Sequence, residues 1–147
     1  MNRQLNQVLL LVWGIWFSIV ALTNALDGLK ALQLLPAGFT FASGNWAFLK
    51  QVVAVHHTPT ALAAGMFAGV IAWEGFAAVS FLRAWNRYRG DHADAGTMAA
   101  RAFTVSAALW GAMMIASEIF ISYGVEATHT HLLIATLVSF LVVARRP

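Results

Sequence analysis

Glu74 is the residue whose type and position most strongly suggest chemistry, because it interrupts an otherwise uncharged stretch, GVIAWEGFAAVSFL, at residues 69–82. A charged carboxylate inside a membrane helix costs ~2.5–3.5 kcal/mol on insertion scales, so it must face protein or be protonated. Such a group can act as a proton relay, a cation site or a polar contact with another protein. The alternative is a neutral carboxyl that ties neighbouring helices together. We expect Glu74 to be buried facing the first or third membrane span, protonated, and hydrogen-bonded within the bundle or to a partner helix.

Asn24 and Asp27 are a second polar feature, three residues apart and therefore on one helix face. Their position predicts a polar helix end at the water boundary, and a site that binds a partner or a proton is the alternative. Trp73, beside Glu74, and Trp110 lie deep in apolar segments. They are expected to pack, with the lining of a quinone or pigment groove as the alternative.

The histidines suggest a metal or haem site at the outer end of the chain's apolar segments. His56, His57, His129 and His131, with Glu126, have the composition of a zinc or copper site. One of the first pair with one of the second could also ligate haem. However, helical positions two residues apart point about 200° apart, so His129 and His131 cannot share one metal on a regular helix. No HxxxH or HExxH motif occurs, so we expect interfacial histidines and predict no cofactor.

The composition predicts a membrane protein. The chain has 147 residues, of which 60% are hydrophobic and only 10% charged, whereas soluble domains carry about 25% charged residues. No cysteine is present, which excludes disulfides, thiolate metal sites and cysteine nucleophiles. No catalytic motif is visible, and we do not expect an enzyme. The net charge of +3 comes from residues between apolar runs, which favours a bilayer over nucleic acid as the partner.

Four segments have the roughly 20 apolar residues that cross a bilayer. We predict one all-α domain over residues 1–147, with spans at about 8–27, 60–82, 102–123 and 125–144. Tight connections predict an antiparallel four-helix bundle. The first segment also fits a signal peptide, but its Thr23-Asn24-Ala25 cleavage site is poor and we expect it to be retained.

The basic residues predict that both termini are cytoplasmic. This orientation leaves only Lys30 and Lys50 outside, and the residues that it places inside are Arg3, Arg83, Arg87, Arg89, Arg101, Arg145 and Arg146. Three of the inner arginines, Arg83, Arg87 and Arg89, directly follow the second span. They are expected to anchor it and to bind anionic lipid headgroups.

The outer connection at residues 28–59 is too long for a turn. We predict a short interfacial helix within it, with Ser43 as its cap and Lys50 toward water. Thr58 and Pro59 predict the cap and first turn of the second span. Small residues at helical spacing predict close contacts within the bundle; these are Ala61, Gly65 and Gly69 on the second span and Ala108, Ala112 and Ala116 on the third.

Three pieces of the chain carry a family resemblance: ALTNALD (21–27), NWAFLKQVVAVHHT (45–58) and IAWEGFAAVSFLRAW (71–85). In these the chain resembles a bacterial family of predicted small integral membrane proteins, domain of unknown function 2165. The resemblance implies a four-helix protein of the bacterial inner membrane and roles for Asn24, Asp27, Trp73 and Glu74, but no activity. Family members tend to have an aspartate where this chain has His56 and His57.

The sequence predicts a non-catalytic protein, an accessory or stabilising subunit of a larger bacterial respiratory or photosynthetic complex. Its partners would be the bilayer and other membrane subunits. One alternative is an oligomeric, proton-coupled transporter of small molecules that uses Glu74; oligomerisation is assumed because four helices alone enclose little space. Another alternative is a metal- or haem-binding protein that uses the outer histidines.

Overall fold

The chain folds as a helical bundle in the computed structural model, which describes residues 3–144. Its helices are α1 (Arg3–Ala31), α2 (Asn45–Val53), α3 (Thr60–Arg89), α4 (Ala95–Ile119) and α5 (Tyr123–Ala144), with a 3-10 turn at Ala54–His56. These residues contain no strand. The helices α1, α3, α4 and α5 are long and apolar enough to cross a membrane, which confirms the four predicted apolar spans. Arg145 and Arg146 lie outside the described residues.

The beginnings of α3 and α5 are set by backbone conformation. Pro59, not Thr58, is the cap of α3: its extended conformation (φ −58°, ψ 141°) ends the preceding segment, and its carbonyl accepts from Ala63 N at 3.0 Å. The turn before α5 is centred on Ile121, which has a φ of 53°. Gly124 therefore lies inside α5.

Aromatic rings form the centre of the core, where α1, α3 and α4 meet. The ring of Phe17 stacks on Phe81 of α3 and on Trp110 of α4, with both centroid separations 5.8 Å. Phe17 is fully buried, Phe81 likewise, and Trp110 is 4% exposed. Such ring pairs add about 0.5–1.5 kcal/mol beyond the burial of their area. This cluster fixes the lateral positions of the three helices.

A close glycine contact joins α1 to α3. A Cβ atom added to Gly14 would lie 2.7 Å from Leu82 Cδ2 and 3.4 Å from the Leu82 backbone nitrogen. Real Cβ atoms do not approach so closely, so any larger residue here would force the Leu82 side chain to shift. The two helices therefore pack directly against each other at this level.

The predicted contacts through the small-residue pattern of α3 are wrong. Gly65 and Gly69 have nothing within 4 Å of an added Cβ, and Ala61 is also exposed. The same holds for exposed Ala108 and Ala112 on α4. In uniformly apolar helices the small residues do not reveal which face meets a neighbour.

Arg3 links the beginning of α1 to the end of α3. Its guanidinium donates to the carbonyl oxygens of Tyr88 at 3.0 Å and Arg89 at 3.1 Å. These are among the last carbonyls of a helix, which have no partner inside it, so Arg3 caps α3 from a neighbouring helix.

The arginines at this end of α3 differ in their surroundings. Arg87 Nε lies 3.8 Å from Asp94 Oδ2, and Arg89 lies over the Trp85 ring at 4.8 Å. Arg83 is exposed. Binding of lipid headgroups by these residues stays a prediction.

Candidate functional site

The centre of the candidate site is a buried hydrogen-bonded pair that joins α1 to α3. The side-chain amide nitrogen of Asn24 lies 3.0 Å from Oε1 and 2.8 Å from Oε2 of Glu74, and donates to the carboxyl group. Asn24 is 2% exposed and Glu74 4%. Glu74 is thus buried and bonded to the first span, as expected from the sequence, and its protonation stays a prediction.

Asn24 also connects this pair to α2. Its side-chain oxygen accepts from the amide of Asn45 at 2.8 Å. The result is a chain of side chains, Glu74–Asn24–Asn45, that spans three helices, and we call it the polar relay. Because both ends of the Asn24 amide are engaged, the residue orients Glu74. The prediction of Asn24 as part of a solvated helix end is wrong.

Asp27 is buried beside the polar relay and holds the beginning of α2. Its Oδ2 accepts from the backbone nitrogen of Trp46 at 2.7 Å and from the Ser43 hydroxyl at 3.4 Å. It is 7% exposed, so the solvated interpretation fails here too. The predicted cap, Ser43, accepts from Asn45 N at 3.1 Å. The cap position itself is taken by Gly44, whose φ of 76° suits glycine.

We expect Asp27→Ala to loosen α2 without unfolding the bundle. Loss of a capping side chain costs about 0.5–2 kcal/mol, so amide exchange across Asn45–Val53 should accelerate by up to about 30-fold. Hydrogen–deuterium exchange with mass spectrometry measures this. Glu118→Ala, which removes an exposed carboxylate of α4, is the matched control and should leave this exchange unchanged. Unchanged exchange in α2 would show that Asp27 does not hold it.

A cavity of about 330 Å³ opens next to the polar relay. Glu74, Asn24 and Asn45 line it, and most of the other lining residues are apolar. Residues from all five helices contribute to this apolar wall, including Val20, Phe48, Leu49, Phe67, Val70, Met113, Phe120 and Leu132. The cavity therefore forms within a single chain, and its wall includes exposed residues such as Phe48.

The opposite wall carries a second polar group on α4 and α5. The Ser117 hydroxyl donates its one hydrogen to the Met113 carbonyl at 2.9 Å. Its oxygen lies 3.0 Å from Nδ1 of His129, and the direction of this bond depends on the tautomer of the ring. In the neutral ring with the proton on Nδ1, Nε2 of His129 is an acceptor.

Trp110 completes this wall. Its ring stacks on that of His129, with centroids 6.2 Å apart. The buried indole nitrogen has no hydrogen-bond partner among residues 3–144. Buried N–H groups are normally paired, so this unpartnered donor is an exception within the described part of the chain.

The structure does not bring the predicted metal ligands together. His56 Nε2 lies 2.7 Å from the Ile119 carbonyl oxygen, and His129 is engaged with Ser117. Within the described part of the chain, no three His, Asp or Glu residues are placed to share a metal ion. His57, His131 and Glu126 thus join no such group, and the zinc, copper and haem hypotheses gain no support.

Trp73 lies outside the cavity. It is 37% exposed, and its indole nitrogen donates to the Val105 carbonyl at 3.2 Å, so it joins α3 to α4 at the bundle surface. Sequence reasoning missed Asn45 and Ser117 as site residues. No local signal distinguishes them, because their roles come from segments far along the chain.

The chain matches no family model, no curated protein and no solved structure. Its function is therefore inferred from the geometry of the site.

Proposed function

We propose that this protein binds a small amphipathic molecule in the cavity inside its helical bundle. The single observation that carries the proposal is the presence of the polar relay in the wall of a mostly apolar cavity. Ligand pockets are typically about 300–1,000 Å³, mostly apolar, with a few polar groups that fix orientation. The cavity has this character at the small end of the range, about 330 Å³.

The proposal includes a membrane orientation. We propose an antiparallel bundle in the bacterial inner membrane with both termini cytoplasmic and α2 at the outer interface. The distribution of arginine and lysine supports it, as does the contact between Arg3 on α1 and the last residues of α3. The cavity then lies in the outer half of the membrane. Membership of the family of domain of unknown function 2165 is part of the same proposal.

Binding of this kind is what a carrier requires. Glu74 is the titratable group that a proton-coupled carrier would use, and it lines the cavity. The cavity and its lining support the binding of a ligand. We propose transport of that ligand as a second step.

A cavity-filling substitution tests the binding site. We expect the protein in lipid nanodiscs to bind 4-phenylbutan-1-ol one-to-one by native mass spectrometry, and Ala116→Phe to abolish the bound species. Ala116 lines the cavity, and phenylalanine would occupy the space. Ala112→Phe is the matched control, since Ala112 lies one turn earlier and is exposed. Absence of binding to the wild type, or equal binding by both variants, would contradict the proposal.

An accessory subunit is the second candidate, and the outer surface of α5 favours it. Within this helix only Thr136 and Val143 are buried, and its exposed apolar side chains include Ile134, Leu137, Val138 and Leu141. Lipid or a partner helix would cover them. Purification in mild detergent should retain a stoichiometric membrane partner if this second candidate is right, and a lone particle would contradict it.

A further inference from the structure

The cavity has an uncompensated acidic group. Glu74 receives hydrogen bonds from the neutral amide of Asn24. The ion pairs between described residues are Arg3–Asp91 and Arg87–Asp94, at the opposite end of α3. A buried carboxylate without a counter-charge is costly, so a cavity that holds no cation favours protonated Glu74, whereas a positively charged occupant would stabilise the ionised form.

The lysines nearest in sequence to the site are engaged elsewhere. Lys30 donates to the Phe39 carbonyl at 3.0 Å, and Lys50 lies over the Trp46 ring at 5.4 Å. Neither belongs to the cavity lining. The counter-charge is therefore not supplied by these side chains.

The polar groups around the cavity favour a ligand that donates hydrogen bonds over an anionic ligand. His129 presents Nε2 as an acceptor when the proton of its neutral ring is on Nδ1, and the Asn24 oxygen is already engaged with Asn45. An anionic ligand would meet the lone pairs of these groups and the charge of an ionised Glu74, whereas an ammonium group donates to them.

The rest of the wall selects an organic cation. Phe48, Phe67, Trp110 and Phe120 line the cavity, and aromatic faces stabilise a cation within about 6 Å of the ring centroid. A hard metal ion requires about six or more oxygen ligands, whereas Glu74 is the sole carboxylate in the lining. We propose that the ligand is a lipophilic organic ammonium ion, whose charged end binds Glu74 and whose hydrocarbon body fills the apolar part. This rests on the proposed binding function and specifies its ligand class.

A pair of probes that differ in charge tests this inference. Native mass spectrometry of the protein in nanodiscs would compare 4-phenylbutylamine, a cation at neutral pH, with the neutral 4-phenylbutan-1-ol. We expect the amine to bind at least about tenfold more tightly, as a charge-assisted hydrogen bond requires. Glu74→Gln, which can still accept from Asn24, should remove that preference. Glu118→Gln, at an exposed carboxylate outside the lining, should keep it.

Each other outcome has a definite meaning. Equal binding of the two probes to the wild type would overturn the ammonium inference and leave the binding function standing. A preference for the amine that persists in Glu74→Gln would overturn the role of Glu74 as the anchor. Binding of neither probe would overturn the ligand class and the binding function together.

Discussion

Replacing Asn24 with leucine is expected to destabilise the protein by about 1–3 kcal/mol, because Glu74 would stay buried without its hydrogen-bond donor. Removing one partner of a buried polar pair costs more than removing both, and this difference can be tested. Removing both polar partners can be nearly neutral, since no unsatisfied group is left in the interior. The double variant Asn24→Leu/Glu74→Leu should therefore be more stable than Asn24→Leu alone.

Unfolding in mixed detergent micelles, followed by circular dichroism, measures these differences. Asn86→Leu is the matched control, because Asn86 is exposed on α3 and surface substitutions usually change stability by less than about 0.5 kcal/mol. A double variant less stable than the Asn24 single variant would show that the pair is not an isolated buried contact. An Asn24→Leu variant as stable as the control would remove the structural basis of the site.

Gly14→Leu is expected to destabilise the bundle by about 1–3 kcal/mol or more through overpacking. A Cβ atom at this position would already lie 2.7 Å from Leu82 Cδ2, and the leucine side chain adds three further carbons. The helices α1 and α3 must move apart, which also disturbs the stack of Phe17 on Phe81. The same unfolding assay measures the loss.

Gly69→Leu provides the control for this prediction. An added side chain at Gly69 meets nothing within 4 Å, and leucine is a better helix former than glycine by up to about 1 kcal/mol. This variant should be neutral or more stable than the wild type. Equal destabilisation by the two substitutions would indicate that α3 packs through its small-residue face instead, against a partner or a second copy.

The membrane spans are readable from the sequence because hydropathy is a local property. A run of apolar residues long enough to cross a bilayer must form a helix there, since its backbone groups need partners. The burial of Glu74 follows from the same physics, because a carboxylate is costly against lipid. The hydrogen-bond partner of Glu74 cannot be read from neighbouring residues, because this partner, Asn24, lies 50 residues away in the chain.

The helix faces could not be predicted in the same way. The helix α3 is apolar on nearly all sides, so periodicity does not separate core from lipid, and Gly65 and Gly69 were assigned to the wrong face. Asp27 was misinterpreted because α2 returns across the end of α1 and buries it. His129 illustrates the same limit, since its partner Ser117 becomes a neighbour only when α4 and α5 pair.

Photo-labelling with a diazirine derivative of 4-phenylbutylamine tests the central claim, that the cavity beside Glu74 is a binding site, most directly. Labelled peptides from the protein in nanodiscs would be identified by mass spectrometry. The account predicts labels on cavity residues such as Leu49, Met66 and Met113, and their loss with excess unlabelled 4-phenylbutylamine. Labels confined to lipid-facing residues such as Leu137 and Leu141, unaffected by the competitor, would contradict it.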